Sequence, residues 1–189
     1  MNICNMLSNI EANNSYAQPL EIVFAEYQFN NNINQSIFII QYAIKSDNFY
    51  FIEESFNDLY KLMHTFKSIY EHKAMQLINN YNNDSIRHYL KKNGTTEEKE
   101  RFLYRERGIN RLLGKENYKR YAEAIGIDLI NCPRFASNKF TSARIAMEFW
   151  NINKCDNKIN NIEELTKTVQ GNLNNIDKVK EYMKVFKIY

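Results

Sequence analysis

Apolar residues recur three and four positions apart along most of the chain, which is the spacing of an amphipathic helix. This pattern covers residues 20–29 and 33–44, and within the second segment residues 36–44 are apolar on almost every side. Such a composition is typical of a helix buried at the centre of a domain. Alternation of apolar and polar residues is nearly absent, apart from an ambiguous stretch at 48–52. We therefore expect a single all-α domain over residues 1–189.

Further helices are predicted by the same spacing together with capping residues. A stripe of apolar side chains from 56 to 70 predicts one amphipathic helix, and a second is expected through Leu77. After a polar break at 79–83, Asp84 is predicted to cap a short helix that closes at Asn93 and Gly94. The TTEEKE stretch that follows is predicted to be a solvated, mobile loop.

The C-terminal half repeats this helical pattern. The predicted features are a helix over 115–125 with Gly126 as its left-handed cap, an apolar helix over 140–150, a capping box at Asn161 and Glu164, and a last helix through 179–186.

Composition and charge narrow the function classes. The 44% hydrophobic residues, 5 Gly and 2 Pro exclude collagen-like and disordered chains. A net charge of +3 is too small for nucleic acid to be the leading partner. The 3 cysteines lack metal-ligand spacing, so we expect neither a disulfide framework nor a metal site. The N-terminal residues do not resemble a signal peptide, and no apolar run is long enough to span a membrane.

The densest candidate chemistry lies in the segment YRERGINRLLGKENY, from Tyr104 to Tyr118. Its arginines fit two interpretations equally: they orient carboxylates in a cleft through paired hydrogen bonds, or they form a surface patch for phosphate. Residues 91–120 carry 10 Lys and Arg against 5 Glu, although such a run is usually a solvated face. His64, His72 and His88 are isolated, and no phosphate-binding glycine motif occurs, so no cofactor is expected.

The same segment resembles the YRGRGxIQLTGRxNY motif of glycoside hydrolase family 19, the chitinases and related endolysins. Other blocks resemble the family in the same order. The similar pairs, in chain order, are FIIQYAIKSDNFYFIEE with FLAQxxHESGGFxxLEE, SIRHYLKKNG with a stretch ending in ANRxGNG, AEAIGIDLINCPRFA with GxALGxDLxxNPxLA, ARIAMEFW with AxxxAxWFW, and VQGNLNN with INGGLNG. The resemblance spans about residues 30–180 and implies a lysozyme-like α fold, with 1–29 as an N-terminal helical extension.

The departures from the family pattern concern its catalytic pair. In this register Lys45 occupies the position of the general acid, whereas Glu54 remains at that of the general base. An inverting glycosidase needs both carboxyl groups, and a lysine is a poor substitute because its pKa is ordinarily about 10.4. We expect a Lys45–Glu54 ion pair across the former site. Asp47, two residues further on, would point away from Lys45 unless the helix has already ended.

The resemblance also implies a set of substrate-binding positions. These are Tyr104, Arg105, Arg107, Arg111, Asn117, Gln170 and Asn174, of which Arg111 and Gln170 depart from the family's Gln and Asn. Glu106 stands where the motif has glycine. For the matching arginines, a role in structural ion pairs alone is an equally good interpretation.

Three hypotheses follow for function. The leading one is a catalytically impaired family 19-like domain that binds a cell-wall glycan or chitin oligomer, or acts through a protein partner. The second is an active peptidoglycan or chitin hydrolase that uses Glu54 with Asp47, Glu53 or another carboxylate. The third is binding of nucleic acid or another anionic polymer by residues 91–120, with an affinity that falls as salt is added; the small net charge disfavours nucleic acid. We expect a cytoplasmic location or export without a signal peptide, and no membrane partner.

Overall fold

The computed structural model describes residues 2–79 and 83–188, and its regular structure over those residues is helical. The described chain contains two isolated β-bridges but no strand, which confirms the all-α prediction. Its α-helices are α1 (Ile3–Asn9), α2 (Ala17–Glu26), α3 (Asn32–Lys45), α4 (Leu59–Thr65), α5 (Glu71–Asn79), α6 (Asn83–Asn93), α7 (Thr96–Leu103), α8 (Lys115–Ile125), α9 (Lys139–Ile152), α10 (Ile162–Gln170) and α11 (Ile176–Val185). Short 3₁₀ helices lie at Asn14–Tyr16, Pro133–Ser137 and Cys155–Lys158.

Helix α3 is the central element of the main core. The Asn31 side chain caps it by accepting hydrogen bonds from the backbone N–H groups of Ile33 and Asn34, and every residue from Ser36 to Ala43 is buried. Helices α10 and α11 pack directly on α3, and α2 packs on α9. Side chains of α1 and α2 belong to the same core, which also contains Trp150. The prediction of a buried central helix is therefore confirmed.

Two smaller apolar clusters flank this core. One is built from α4 to α7 and the segments joining them, with Leu62, Phe66 and Phe102 at its centre. The other surrounds Tyr104 and Tyr118. The segment after α3 and the arginine-rich segment meet where these clusters adjoin, and this junction positions the candidate site.

Two of the predicted elements were wrong. The stripe at 56–70 is not one helix, because Phe66 takes an extended conformation that ends α4, and Tyr60 and Tyr70 are 77% and 75% exposed. The TTEEKE stretch is not a mobile loop but the start of α7. Its Thr95 and Glu98 form a reciprocal capping box, a pattern that the sequence analysis overlooked.

Other boundaries differ in detail. Asp84 lies in the first turn of α6 instead of capping it, and residues 80–82 of the predicted polar break lie outside the described residues. The ambiguous stretch at 48–52 begins in a turn, not a strand. Asn161 accepts a hydrogen bond from the backbone of Glu164, which is half of a capping box. The predicted bounds of α8 and its left-handed cap at Gly126 are confirmed.

Across the described ranges, no helix is both long and apolar enough to cross a bilayer. Within the same ranges, no group of three or more His, Cys, Asp and Glu side chains is arranged to hold a metal ion. The three cysteines are free thiols, of which only Cys155 is buried.

Candidate functional site

A sharp turn after α3 brings the Glu53–Glu54 pair beside the arginine-rich segment. The residues Asp47, Asn48 and Phe49 all have φ values between 50° and 65°, so the chain reverses within three residues. The segment that follows then hydrogen-bonds to residues 106–108: the Glu54 N–H donates to the Glu106 carbonyl at 2.8 Å, and the Gly108 N–H to the Ile52 carbonyl at 2.8 Å. Because the chain is extended here, successive side chains point to opposite sides.

On one side, Glu53 is held by the two arginines that match the family motif. Arg105 Nη2 donates to both Glu53 oxygens at 2.9 Å, and Arg107 Nε donates to Oε2 at 3.0 Å. Arg107 also donates to the Tyr118 hydroxyl, which in turn donates to the Arg105 carbonyl. Burial by itself would raise the pKa of the Glu53 carboxyl, but the arginines outweigh it and the pKa falls. We call Glu53, Arg105 and Arg107 the Glu53 cluster.

On the other side, Glu54 is 5% exposed and is bound by cations that sequence analysis did not identify. Arg101 Nη2 donates to Oε1 at 2.9 Å, while Nη1 lies 2.8 Å from Oε2 as an ion-pair contact outside hydrogen-bonding geometry. Lys61 Nζ lies 3.3 Å from Oε1, and the Glu106 N–H donates to Oε2 at 3.4 Å. Burial would raise the pKa of this carboxyl, but Arg101 and Lys61 lower it below its usual range. Glu54, Arg101 and Lys61 form the Glu54 cluster.

The predicted Lys45–Glu54 ion pair is wrong. Lys45 Nζ instead donates a hydrogen bond to the Val169 carbonyl at the end of α10 and lies 5.8 Å from the centre of the Phe149 ring. Burial, with a further contribution from the Arg111 charge, lowers the pKa of the Lys45 ammonium to about 8. The lysine and the glutamate are therefore held by different partners: the Val169 carbonyl binds Lys45, and Arg101 and Lys61 bind Glu54.

Glu106 and Arg111 form an ion pair that is electrostatically linked to Lys45. Arg111 adopts a left-handed backbone conformation, with φ of 53°, and its guanidinium lies 4.1 Å from the Phe51 ring centre. Its Nε is 3.0 Å from Glu106 Oε2. The Glu106 carboxylate raises the pKa of Lys45, opposing the effect of Arg111. Lys45, Glu106 and Arg111 thus interact through their charges, and the Glu106 backbone N–H joins them to Glu54. We call these four residues the acid–base site.

The remaining predicted binding residues are spread over several environments. Tyr104 is buried and donates its hydroxyl to the Ile130 carbonyl, whereas Asn117 is exposed on α8 and donates to the Leu113 carbonyl. Gln170 follows the carbonyl that binds Lys45 and donates to the Gln41 backbone at 2.6 Å. Asn174 is exposed in the turn before α11.

Three carboxylates other than that of Glu54, those of Asp47, Glu53 and Glu106, differ in their contacts and surroundings. Helix α3 ends at Lys45, so Asp47 lies on the exposed turn beyond it. Glu53 is committed to Arg105 and Arg107. Glu106 influences the charge of Lys45 through its carboxylate and contacts Glu54 through its backbone N–H, and only the folded chain reveals both relations.

The fold and the sequence of this chain both resemble those of known proteins. Across 98% of the chain, the fold matches chitinase C from Streptomyces griseus HUT6037 with a TM-score of 0.64 at 15% identity, covering 75% of that chain. A crystal structure of a mutant chitinase C matches equally well, covering 90% of that chain. This is the lysozyme-like helical fold predicted from the sequence.

A relative from Haemophilus influenzae, described as a glycosyl hydrolase family 19 domain-containing protein, is 30% identical over 161 residues. The match covers 78% of this chain and 75% of the relative. No family model matches the chain. At this identity and coverage, the chain belongs to glycoside hydrolase family 19.

Proposed function

We propose that this protein is a family 19 domain that binds a chitin-like or cell-wall glycan at the acid–base site without hydrolysing it. The observation that carries the proposal is the state of the two catalytic positions. The family resemblance implies that Lys45 stands at the acid position, and Glu54, which it implies for the base, is 5% exposed and bound by Arg101 and Lys61.

The base position is unsuited to activating water. A general base must present a free lone pair to the water molecule and a pKa high enough to take its proton. The Glu54 carboxylate instead accepts contacts from Arg101, Lys61 and the Glu106 N–H. Its lowered pKa makes it a weaker base than an ordinary glutamate.

The acid position is unsuited to protonating a leaving group. In an inverting glycosidase the acid is a neutral carboxyl group, and the transition state develops positive charge on the sugar ring. With a pKa of about 8, the Lys45 side chain is mostly a cation at neutral pH. That charge would oppose the developing charge of the sugar, and the Lys45 ammonium is already bound to the Val169 carbonyl.

The test combines turnover with binding. Purified protein is incubated with chitin hexamer and with peptidoglycan, products are separated by chromatography, and hexamer binding is measured by calorimetry. We expect binding without products. The double variant Lys45→Glu/Arg101→Gln, which restores the acid and frees the base, is expected to cleave the glycan, and adding Glu54→Gln is expected to abolish that cleavage.

Two results would contradict the proposal. Turnover by the unmodified protein that Glu54→Gln abolishes would make it an active hydrolase. Absence of binding to both glycans, with the circular dichroism spectrum of a folded helical protein, would remove the glycan as ligand.

A second candidate function is hydrolysis with Glu106 as the replacement acid. Two observations favour it. The Glu106 carboxylate is close enough to Lys45 to raise the pKa of that side chain, and the Glu106 backbone N–H lies 3.4 Å from Glu54 Oε2. This candidate requires that Glu106→Gln and Glu54→Gln each abolish turnover of the unmodified protein, while Asp47→Asn, on the exposed turn, retains it. Turnover that survives Glu106→Gln would exclude it.

A further inference from the structure

A groove of about 890 Å³ opens on the side of the Glu53 cluster, between α6, α7 and the segment 131–135. Its lining includes Glu53, Arg105 and Arg107 but none of the four residues of the acid–base site. Helix α7 contributes side chains to both regions. It contributes Lys99, Phe102 and Leu103 to the groove, whereas its Arg101 binds Glu54. We call this surface the basic groove.

The lining of the basic groove carries an unbalanced positive charge. It holds six Lys and Arg side chains against two carboxylates, Glu53 and Asp84. Glu53 is bound by Arg105 and Arg107. The other four cations form no ion pair with any described residue, and all are exposed; they are Arg87, Lys91, Lys99 and Arg134.

Arg105 is a largely buried cation of the groove lining. Its side chain is 9% exposed, and its guanidinium stacks 4.5 Å from the Phe102 ring centre. The Nε–H has no acceptor among the described residues, although the other nitrogens of the group bind Glu53 and the Phe102 carbonyl. Because the Nε atom is itself buried, the charge that the groove presents to a ligand comes from its four exposed cations.

Apolar surface beside these cations indicates the kind of anion. Leu103 and Phe135 line the groove and are 42% and 51% exposed. Phe102, the other aromatic residue of the lining, is buried. Single-stranded nucleic acid binds through successive stacked bases, which a single exposed ring does not support, and the net charge of the chain is only +3. Carboxylates interspersed with apolar side chains match both features of the surface.

We propose that the basic groove binds an acidic peptide segment of a protein partner. Its carboxylates would pair with Arg87, Lys91, Lys99 and Arg134, and its apolar side chains would pack on Leu103 and Phe135. This site is separate from the acid–base site, so its occupancy does not depend on whether the protein binds or hydrolyses glycan.

The test uses a short fluorescent peptide in which glutamate alternates with leucine and phenylalanine, titrated with the full chain and followed by anisotropy. The control peptide carries glutamine in place of glutamate. We expect the acidic peptide to bind about tenfold more tightly than the control and to weaken with added salt. Lys91→Glu/Lys99→Glu should weaken binding about tenfold, whereas Lys119→Glu/Lys184→Glu, the same charge change on exposed lysines of α8 and α11, should change it less than about twofold.

The cysteines provide a second readout on the unmodified chain. Cys132 lines the groove, while Cys4, which is also exposed, lies outside it. Bound peptide should slow alkylation of Cys132 but not of Cys4. Equal binding of both peptides, equal loss in both double variants, or unchanged Cys132 alkylation would overturn the proposal. Tighter binding of a thymidine oligonucleotide with the same lysine dependence would assign the groove to nucleic acid instead.

Discussion

Glu53 and Glu54 are neighbours in sequence, yet their carboxylates are bound by different pairs of cations. Glu53 is bound by Arg105 and Arg107, both of which match the family motif. Glu54 is bound by Arg101 and Lys61, which lie outside every block of family resemblance. The Glu53 cluster joins the segment after α3 to the arginine-rich segment, whereas Glu54 is bound by one cation from α7 and one from α4. Two adjacent carboxylates can thus be committed to different segments and different cations, because their side chains leave the chain in different directions.

The largest expected effect concerns the backbone that supports the Glu53 cluster. Gly108 has φ of 67°, and a Cβ there would lie 2.5 Å from the Ala136 carbonyl oxygen and 2.6 Å from Ser142 Oγ. We expect Gly108→Ala to lower the free energy of unfolding by about 4 kcal/mol, from left-handed strain together with overpacking. Gly126→Ala, at the same φ but with open space around its Cβ, should cost only about 1 kcal/mol. Urea denaturation of both variants checks this, and equal losses would contradict the steric argument.

The second prediction tests whether Glu53 is structural. Glu53→Gln leaves Arg105 and Arg107 buried without their counter-ion, and because Glu53 is 33% exposed we place the loss at about 3 kcal/mol. The control, Glu106→Gln, removes a more exposed ion pair and should cost less than about 1 kcal/mol. Both are measured by denaturant unfolding at pH 7. If Glu106→Gln lowered the free energy of unfolding as much as Glu53→Gln does, Glu53 would not be distinguished as a structural residue.

The third prediction concerns the Glu54 cluster, in which Arg101 and Lys61 bind the carboxylate. Arg101→Gln should lower the free energy of unfolding by about 2 kcal/mol at pH 7, because a largely buried carboxylate loses its main partner. The folded-state pKa of Glu54 lies below its ordinary value of 4.5, so the stabilisation exists above that pH and is lost as the pH falls through the folded-state pKa.

The difference between Arg101→Gln and the unmodified protein should therefore shrink below about pH 4.5. Thermal or urea unfolding from pH 7 to pH 3 measures it. A difference that stays constant over this range would mean that Arg101 contributes by packing on Phe56 and not by its charge.

The smallest expected effect has the opposite sign. The fall in the pKa of Lys45 from 10.5 to about 8 corresponds to about 3 kcal/mol of destabilisation while the amine is charged. Solvent screening and the lost hydrogen bond to the Val169 carbonyl reduce what Lys45→Met can recover, so we expect a gain of about 1 kcal/mol at pH 7.

Between pH 8 and 10.5 the unfolded chain binds more protons at Lys45 than the folded chain does, so the stability of the unmodified protein rises with pH there. The advantage of Lys45→Met should fade over that window. Denaturation of both proteins from pH 7 to pH 10 provides the check, and an advantage that persists unchanged would show that Lys45 is not a buried charge.

Much of the fold could be predicted because its signals are local. The buried run in α3, the bounds of α8 and its glycine cap follow from residues that lie within a few positions of one another. The two clear errors were also local. The apolar stripe continued past the end of α4 because Phe66 stays buried in an extended segment, and the Thr95–Glu98 capping box was passed over.

The sequence by itself determined the helical class and the family resemblance, and that resemblance implied that Lys45 and Glu54 stand at the two catalytic positions. Only the tertiary structure decided what those residues contact. Arg101 reaches Glu54 across 47 positions, and Lys45 reaches the Val169 carbonyl across 124. Helical periodicity specifies which face of each helix is buried, but pairing between distant charges depends on how the helices pack, and no spacing in the sequence encodes that arrangement.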